Sequence, residues 1–437
     1  MKKTIQLGIV GLVFPALAFV AFTANAQQTP APQQSEAISI DGATAHLGNG
    51  KVIENALIMF EGGKLTYVGS AMARIARKGT ILKGEGKHVY PGFIAPSTSL
   101  GLIEIDAVRA TNDQDELGEM IPHIRSLIAY NAESKVIESM RPNGVLLGQI
   151  TPQGGRISGT SSIVQFDAWN WEDAVIKVDD GIHLRWPDTF RQGRWWEGEE
   201  RGYRPNEKYR EEMSEVEVFL KNAKAYGNGA EEDMNPAFAA MQGTFDGSKK
   251  LYIYADSEKE IIDAITLAKA LGIKEPVLVG GYHAFKITDF LKENNIPVLV
   301  QYTHTRPVFE DEHYDLPYKL PKLLVDGGLL VGLQNGAASN FQTRNLAFYA
   351  GQLVGMGMDK EKALQLITGN TAQILGISEN YGTLAVGKSA TLFISEGDAL
   401  DMRGNQLTHA FIDGREISLE THQTELWKKY SKKYAEK

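Results

Sequence analysis

Two histidines and a group of carboxylates follow predicted strands and could bind a metal ion. His283 and His304 each come after an apolar run of strand length, and the stretch 310–313, with two glutamates, an aspartate and a histidine, follows shortly after. Imidazole and carboxylate groups are the usual zinc ligands, but a metal site needs a specific number of them in a specific geometry. We therefore favour a solvated acidic loop with unpartnered histidines over a metal cluster at these positions.

Hydroxyl and guanidinium groups at predicted strand ends are a second set of reactive candidates. Ser97 and Ser99 end the apolar run that begins at Val89, and either could act as a nucleophile. No Gly-x-Ser-x-Gly turn surrounds them, and no base or orienting group is identified, so small serines that fill space are the favoured interpretation. Arg344 follows a later strand and could hold a substrate carboxylate with two hydrogen bonds, or form a structural ion pair.

Strands and helices alternate through the middle of the chain. The apolar run at 250–255 is followed by Ser257 and Glu260, which predict a capping box that opens a helix over 261–271. Further strands are predicted at 276–279, 297–300 and 329–333, with helices between them. Repeated βα units predict a parallel sheet, but this pattern alone does not distinguish a closed barrel from an open, doubly wound sheet.

Both ends of the chain carry short strands with turn signals, and the middle contains an interruption. The segment at 188–226 breaks the alternation and is predicted to be an insertion. The predicted organisation is a signal peptide (1–26), a flexible leader (27–36), a composite β-sandwich (37–90 and 378–418), a barrel-type domain (91–377) and a C-terminal helix (419–437).

The composition restricts where the protein works and what it binds. A positive start, an apolar stretch and the small-x-small site Ala24-Asn-Ala26 predict a signal peptide cleaved after Ala26, hence a periplasmic or secreted protein with no membrane attachment after cleavage. The chain has no cysteine, so it has neither disulfides nor thiol ligands. A net charge of −9 argues against nucleic-acid binding.

Several stretches, taken in order, resemble one enzyme superfamily. They are Glu61-Gly-Gly-Lys, Tyr90-Pro-Gly-Phe-Ile, Ala363-Leu-Gln-Leu-Ile-Thr-Gly-Asn-Thr-Ala, Gly382-Thr-Leu-Ala-Val-Gly-Lys and His409-Ala-Phe-Ile-Asp-Gly-Arg. The pattern resembles secreted bacterial amidohydrolases of the imidazolonepropionase and dihydroorotase types. The resemblance implies a distorted (β/α)8 TIM-type barrel with a small β-sandwich made from both chain ends. It also implies hydrolysis of non-peptide C–N bonds with zinc or another divalent metal.

The residues that hold the metal in that superfamily are replaced here. The resemblance places a His-x-His pair at Ser97 and Ser99, and a later histidine at Tyr254. It places a further histidine at the strand end formed by Gly280 and Gly281. It places the aspartate that acts as the general base at Gln334 or Asn335. Neutral hydroxyls, phenols and amides are poor zinc ligands and poor bases at neutral pH.

Besides a purely structural interaction module, two functions remain open from these substitutions. The first is a catalytically degenerate amidohydrolase without metal or cofactor, which binds a small molecule or pairs with an active relative in a hetero- or homo-oligomer. The alternative is an active hydrolase with an atypical or metal-independent site. His283, His304 and Arg344 are possible ligand contacts in either case, whereas His123 and His183 are predicted to be packed or surface residues.

Overall fold

The computed structural model describes residues 29–193, 198, 202–227, 234–301, 303–336 and 340–435. The predicted signal peptide lies outside the described residues. The strands are β1 (Ile38–His46), β2 (Val52–Glu61), β3 (Lys64–Ser70), β4 (Thr80–Lys83), β5 (His88–Pro91), β6 (Phe93–Thr98), β7 (Val145–Ile150), β8 (Ile157–Gln165), β9 (Val175–Arg185), β10 (Phe190–Gln192), β11 (Tyr203–Pro205), β12 (Lys250–Ala255), β13 (Pro276–Gly280), β14 (Val298–Val300), β15 (Val331–Leu333), β16 (Leu392–Ser395), β17 (Leu407–Ile412) and β18 (Arg415–Glu416).

Helices connect most of the later strands and follow their carboxyl ends. The α-helices are α1 (Ser126–Ala129), α2 (Lys135–Glu138), α3 (Trp171–Ala174), α4 (Tyr209–Tyr226), α5 (Pro236–Asp246), α6 (Glu258–Leu271), α7 (Thr288–Glu293), α8 (Leu316–Asp326), α9 (Leu346–Gly355), α10 (Lys360–Gln365), α11 (Gly369–Leu375) and α12 (His422–Ala435). Short 3₁₀ helices span Arg109–Thr111, Arg141–Asn143, Ala284–Lys286 and Asn340–Asn345. In the part of the chain that is described, no helix is long and apolar enough to span a membrane.

A nearly closed barrel forms the larger part of the molecule. Its eight described strands follow the order β15-β14-β13-β12-β9-β8-β7-β6. The first and last strands approach each other at their ends, where a Cβ on Gly336 would lie 2.3 Å from the carbonyl oxygen of Ser97. The prediction of a distorted TIM-type barrel is confirmed.

One strand gives the barrel its distortion. Strand β8 is antiparallel to both β7 and β9, while the other neighbouring pairs are parallel. The connections at 151–156 and 166–174 are shorter than the dozen or so residues that a parallel crossover needs. The chain therefore turns back on itself twice, and β8 runs against the rest of the sheet.

A second sheet combines both ends of the chain. Strands β1 to β5 pair with β16, β17 and β18 around a small core that includes Ile40, Phe60 and Phe411. This sheet adjoins the barrel through a buried ion cluster. Asp167 is 1% exposed, and its carboxylate lies 2.8 Å from Nη1 of Arg415 and 3.5 Å from Nη1 of Arg141.

The segment predicted to be a flexible leader contacts this cluster. The backbone N–H of Ala31 donates to Asp167 (2.9 Å), and its carbonyl accepts from Arg415 (3.1 Å). The described leader residues therefore add two hydrogen bonds to the junction between the sheet and the barrel.

Candidate functional site at the barrel mouth

The carboxyl ends of seven barrel strands meet at one end of the barrel, which we name the barrel mouth. Because parallel strands end at the same edge, β6, β12, β13 and β15 bring the segments near 97, 254, 280 and 334 together there. In barrels of this type, functional groups lie at this face. The predicted site residues therefore share one region, and their individual contacts decide what it can do.

Tyr254, on β12, begins a chain of hydrogen bonds inside the barrel. Its phenol oxygen lies 3.0 Å from Nδ1 of His183, and Nε2 of His183 lies 2.8 Å from Oγ of Ser161. Ser161 Oγ lies 2.7 Å from Oδ1 of Asp180. An ionised carboxylate only accepts hydrogen bonds, so Ser161 donates to Asp180 and accepts from His183 Nε2–H. His183 Nδ1 consequently accepts from Tyr254.

Asp180 anchors this network at full burial. Its carboxylate accepts from Ser161, from the phenol of Tyr252 (2.7 Å) and from the amide of Gln149 (2.8 Å). Burial raises the pKa of Asp180, and these three hydrogen bonds oppose that rise because they stabilise the charged form. The Gln149 side chain also accepts from the backbone N–H of Ser97 (3.0 Å), so the network reaches the end of β6.

His183 is neutral at physiological pH. It is fully buried and stacks on Tyr252, with ring centroids 4.7 Å apart. Burial, and to a lesser degree the positive charge of Arg185, lower the pKa of His183 to about 3. The Arg185 guanidinium lies 4.9 Å from the centre of the Tyr254 ring and donates to the side chain of Gln153. Burial raises the pKa of Tyr254, so the phenol keeps its proton and remains a donor.

Among the residues that the structure describes, two buried polar atoms at the mouth have no hydrogen-bond partner. Ser97 is 1% exposed with φ +52°, a backbone conformation that is uncommon for residues other than glycine. Its Oγ forms no hydrogen bond, although the hydroxyl is near enough to Tyr254 to lower the pKa of the phenol. Oδ1 of Asn335 is also unpartnered, while its Nδ2 donates to Thr343 (3.2 Å). An unsatisfied buried group of this kind costs about 1–3 kcal/mol.

The remaining strand ends offer little room or few free atoms. A Cβ on Gly280 would lie 2.6 Å from Oδ1 of Asp256, which accepts from the backbone N–H of Tyr282 (3.1 Å). Gly280 and Gly281 both have positive φ, at +92° and +68°. A histidine at position 280 would therefore clash with Asp256. At the end of β15, the side-chain oxygen of Gln334 is already occupied, because it accepts a hydrogen bond from the backbone N–H of Gly336.

Part of the sequence and the fold of this chain are similar to those of known proteins. Residues 323–417 match the sequence profile of the amidohydrolase family. An amidohydrolase from Thermotoga maritima is similar in structure, with a TM-score of 0.74 and 21% sequence identity, over 87% of this chain and 99% of that chain. Residues 323–417 are therefore similar in sequence to the amidohydrolase family, and the fold of the chain is similar to that of an amidohydrolase. No curated protein matches it significantly.

Two further structures are similar at lower sequence identity. A Xaa-Pro dipeptidase with bound methionine in its active site gives a TM-score of 0.55 at 13% identity, over 87% of this chain and 100% of the other. Molinate hydrolase gives a TM-score of 0.51 at 13% identity, over 88% of this chain and 95% of the other. These similarities show the fold alone.

The other predicted contact residues lie apart from the network around Tyr254. Ser99 donates to the side chain of Asn340 (2.8 Å). His304 packs edge-on against Tyr349, with ring centroids 4.8 Å apart. Arg344 lies exposed in the last 3₁₀ helix, where its backbone carbonyl accepts from the Asn143 side chain (2.8 Å).

The expectation of unpartnered histidines near the acidic stretch is wrong. His283 lies 2.8 Å from a carboxylate oxygen of Glu312, and the ring stacks on Phe309 with centroids 5.6 Å apart. His313 bonds the carboxylate of Asp315. The loop after β14 folds back over the end of β13, so residues 29 positions apart meet, which local sequence does not show.

The described residues do not fit the metal that the amidohydrolase superfamily implies. Among them, no group of three or more histidine, aspartate or glutamate side chains could hold a metal ion. At the mouth, both ring nitrogens of His183 and both carboxylate oxygens of Asp180 are already hydrogen-bonded. Ser97, Tyr254, Gln334 and Asn335, which stand where the resemblance places metal ligands or the general base, carry only hydroxyls, a phenol and amides, and these bind zinc poorly.

Sequence reasoning missed most of the buried network. It placed His183 among packed or surface residues, which agrees with its burial, but it did not connect the ring to Tyr254. Asp180, Ser161 and Gln149 were not identified. The signal that could have found them is a charged residue inside a strand, since a fully buried aspartate is rare unless hydrogen-bonded.

Proposed function

We propose that this protein is a metal-free amidohydrolase that binds a small molecule at the barrel mouth rather than hydrolysing it with a metal-activated water. The proposal is supported by the hydrogen bonds of His183 and Asp180, which engage both ring nitrogens and both carboxylate oxygens. It is also supported by Gly280, where a side chain would meet Asp256.

The observation that carries the binding role is the pair of unsatisfied atoms, Ser97 Oγ and Asn335 Oδ1. Ser97 lies on the first barrel strand and Asn335 lies two residues after the last one, where the two strand ends approach at Gly336. Asn335 Oδ1 can only accept a hydrogen bond, and the Ser97 hydroxyl can donate or accept. Both atoms are buried, so the ligand must enter between the strand ends; one that presents an N–H or O–H group to Asn335 and a polar atom to Ser97 would satisfy both.

Two structurally similar proteins support the proposed ligand class. A dipeptidase and a molinate hydrolase share the fold. Small amides and dipeptides, which carry N–H donors beside carbonyl acceptors, therefore fit the two unsatisfied atoms. On the basis of the predicted signal peptide, we propose that the mature protein works in the periplasm or outside the cell. We propose that it acts there alone or together with an active relative.

Calorimetry and turnover assays on the purified mature protein test this function. A panel of small amides and dipeptides is titrated into the protein, and hydrolysis is assayed after incubation with zinc or manganese. We expect binding without turnover. Asn335→Ala and Ser97→Ala should each weaken binding about tenfold, the equivalent of one hydrogen bond.

The matched control is Ser395→Ala. It removes a buried serine hydroxyl that lies on β16 in the second sheet, away from the barrel mouth, and that donates to the backbone carbonyl of Gly404 (3.0 Å). This variant should bind as the wild type does. Turnover that requires added metal would refute the proposal. Metal-independent turnover that disappears in Ser97→Ala would instead favour an active hydrolase with an atypical site.

A further inference from the structure

A cleft of about 610 Å³ opens at the end of the barrel opposite the mouth. It lies where strands begin: Lys250 starts β12, Pro276 starts β13, and Pro297 and Leu330 directly precede β14 and β15. Small-molecule sites commonly have volumes of about 300–1,000 Å³. The cleft is therefore large enough for a ligand, and it lies apart from Ser97 and Asn335.

The floor of the cleft is apolar. Val277, Ile296, Leu329 and Ile374 line it, and each is less than a tenth exposed. Such a floor can cover the hydrocarbon part of a ligand, whose transfer from water is favourable in proportion to the apolar area buried.

The rim of the cleft is positively charged. Lys250, Lys269, Lys274 and Lys292 line it beside a single acid, Glu275. Lys250 is bonded to Glu275. The other three lysines have no carboxylate partner within 4.0 Å among the residues that the structure describes.

This charge contrasts with the rest of the chain. The whole protein carries a net charge of −9, whereas the lining residues of the cleft include four lysines and one glutamate. Ammonium groups around a concave, low-dielectric surface concentrate anions there. The side chain of Lys292 extends towards Gly328, another lining residue: its Nζ lies 3.4 Å from the position that a Cβ on Gly328 would take.

We propose that this cleft binds a small organic anion. The apolar body of the ligand would rest on the floor formed by Val277, Ile296, Leu329 and Ile374. Its anionic group, a phosphate or a carboxylate, would bind the ammonium groups of Lys269, Lys274 and Lys292. This site is independent of the mouth, so the protein would have two separate ligand sites at opposite ends of one barrel.

Calorimetric titration of the chain from residue 27 to residue 437 with 1-naphthyl phosphate tests the site, with 1-naphthol and inorganic phosphate as comparison ligands. We expect saturable binding of 1-naphthyl phosphate that is at least tenfold tighter than either comparison ligand, because only it uses both floor and rim. Binding should weaken as salt is raised. Equal binding of inorganic phosphate would overturn the role of the floor, and equal binding of 1-naphthol would overturn the role of the lysines.

A pair of charge-matched double variants locates the binding. Lys269→Gln with Lys292→Gln should weaken it at least tenfold. Lys432→Gln with Lys433→Gln removes the same charge from α12, outside the cleft, and should leave it unchanged. Equal losses in both double variants would show unspecific attraction and refute the proposal. Asn335→Ala should not affect this binding, which separates a failure here from a failure of the mouth.

Discussion

Replacing His183 by glutamine should change how stability depends on pH. His183 is fully buried and hydrogen-bonded at both nitrogens, and burial lowers its pKa from 6.5 to about 3. The pKa of His183 is lower in the folded protein than in the unfolded chain. Between the two pKa values, the unfolded chain therefore binds a proton on His183 and the folded protein does not. The stabilisation is present above about pH 6.5 and is lost as the pH falls towards about 3.

The size of the effect follows from the two pKa values. Each pH unit between them removes about 1.4 kcal/mol, so the total cost of keeping His183 neutral reaches roughly 5 kcal/mol near pH 3. Asp180 acts in the opposite direction because its pKa is raised. Its contribution is common to the wild type and the variant, so the comparison isolates the imidazole.

Glutamine keeps one acceptor for Tyr254 and one donor for Ser161 but does not titrate. Urea denaturation at a series of pH values gives the free energy of unfolding of each protein. Between about pH 6 and about pH 4, His183→Gln should lose stability less steeply than the wild type by about 1.4 kcal/mol per pH unit. The control His123→Gln changes an exposed histidine and should follow the wild type. Equal slopes for His183→Gln and the wild type would refute the burial argument.

Three further substitutions test other contacts by urea denaturation at neutral pH. Tyr254→Phe removes the donor to His183 Nδ1 and should cost about 1–3 kcal/mol; an unchanged midpoint would contradict the assigned tautomer. Gly280→Ala should cost at least about 1 kcal/mol more than Gly357→Ala, because both glycines have positive φ but only the first is crowded; equal losses would be evidence against crowding. Asp167→Asn should cost about 3–5 kcal/mol because it removes the buried carboxylate that faces Arg415 and Arg141, and a loss under about 1 kcal/mol would show that the cluster is not stabilising.

Local patterns predicted local structure well. Ser257 and Glu260 form the expected capping box at the start of α6, with both reciprocal hydrogen bonds present. Asp359 accepts from the backbone N–H of Lys362 at the start of α10, as its position before the helix predicted. These features depend on residues three positions apart, so the sequence window contains everything that determines them.

The reversed strand and the buried network could not be predicted in the same way. The direction of β8 depends on which connections are too short for a crossover, and its apolar residues alone do not show this. The link from Tyr254 to Asp180 joins residues more than 70 positions apart through His183 and Ser161. Only the pairing of β8, β9 and β12 brings them together.

The central claim, that the mouth cannot hold a catalytic metal, is tested most directly by measuring bound metal. The mature protein is refolded with zinc or manganese in excess, dialysed against metal-free buffer and analysed by mass spectrometry for metal per chain. We expect far less than one equivalent of either ion. One equivalent per chain, retained through dialysis and lost in the Tyr254→Phe or Asn335→Ala variants, would contradict it.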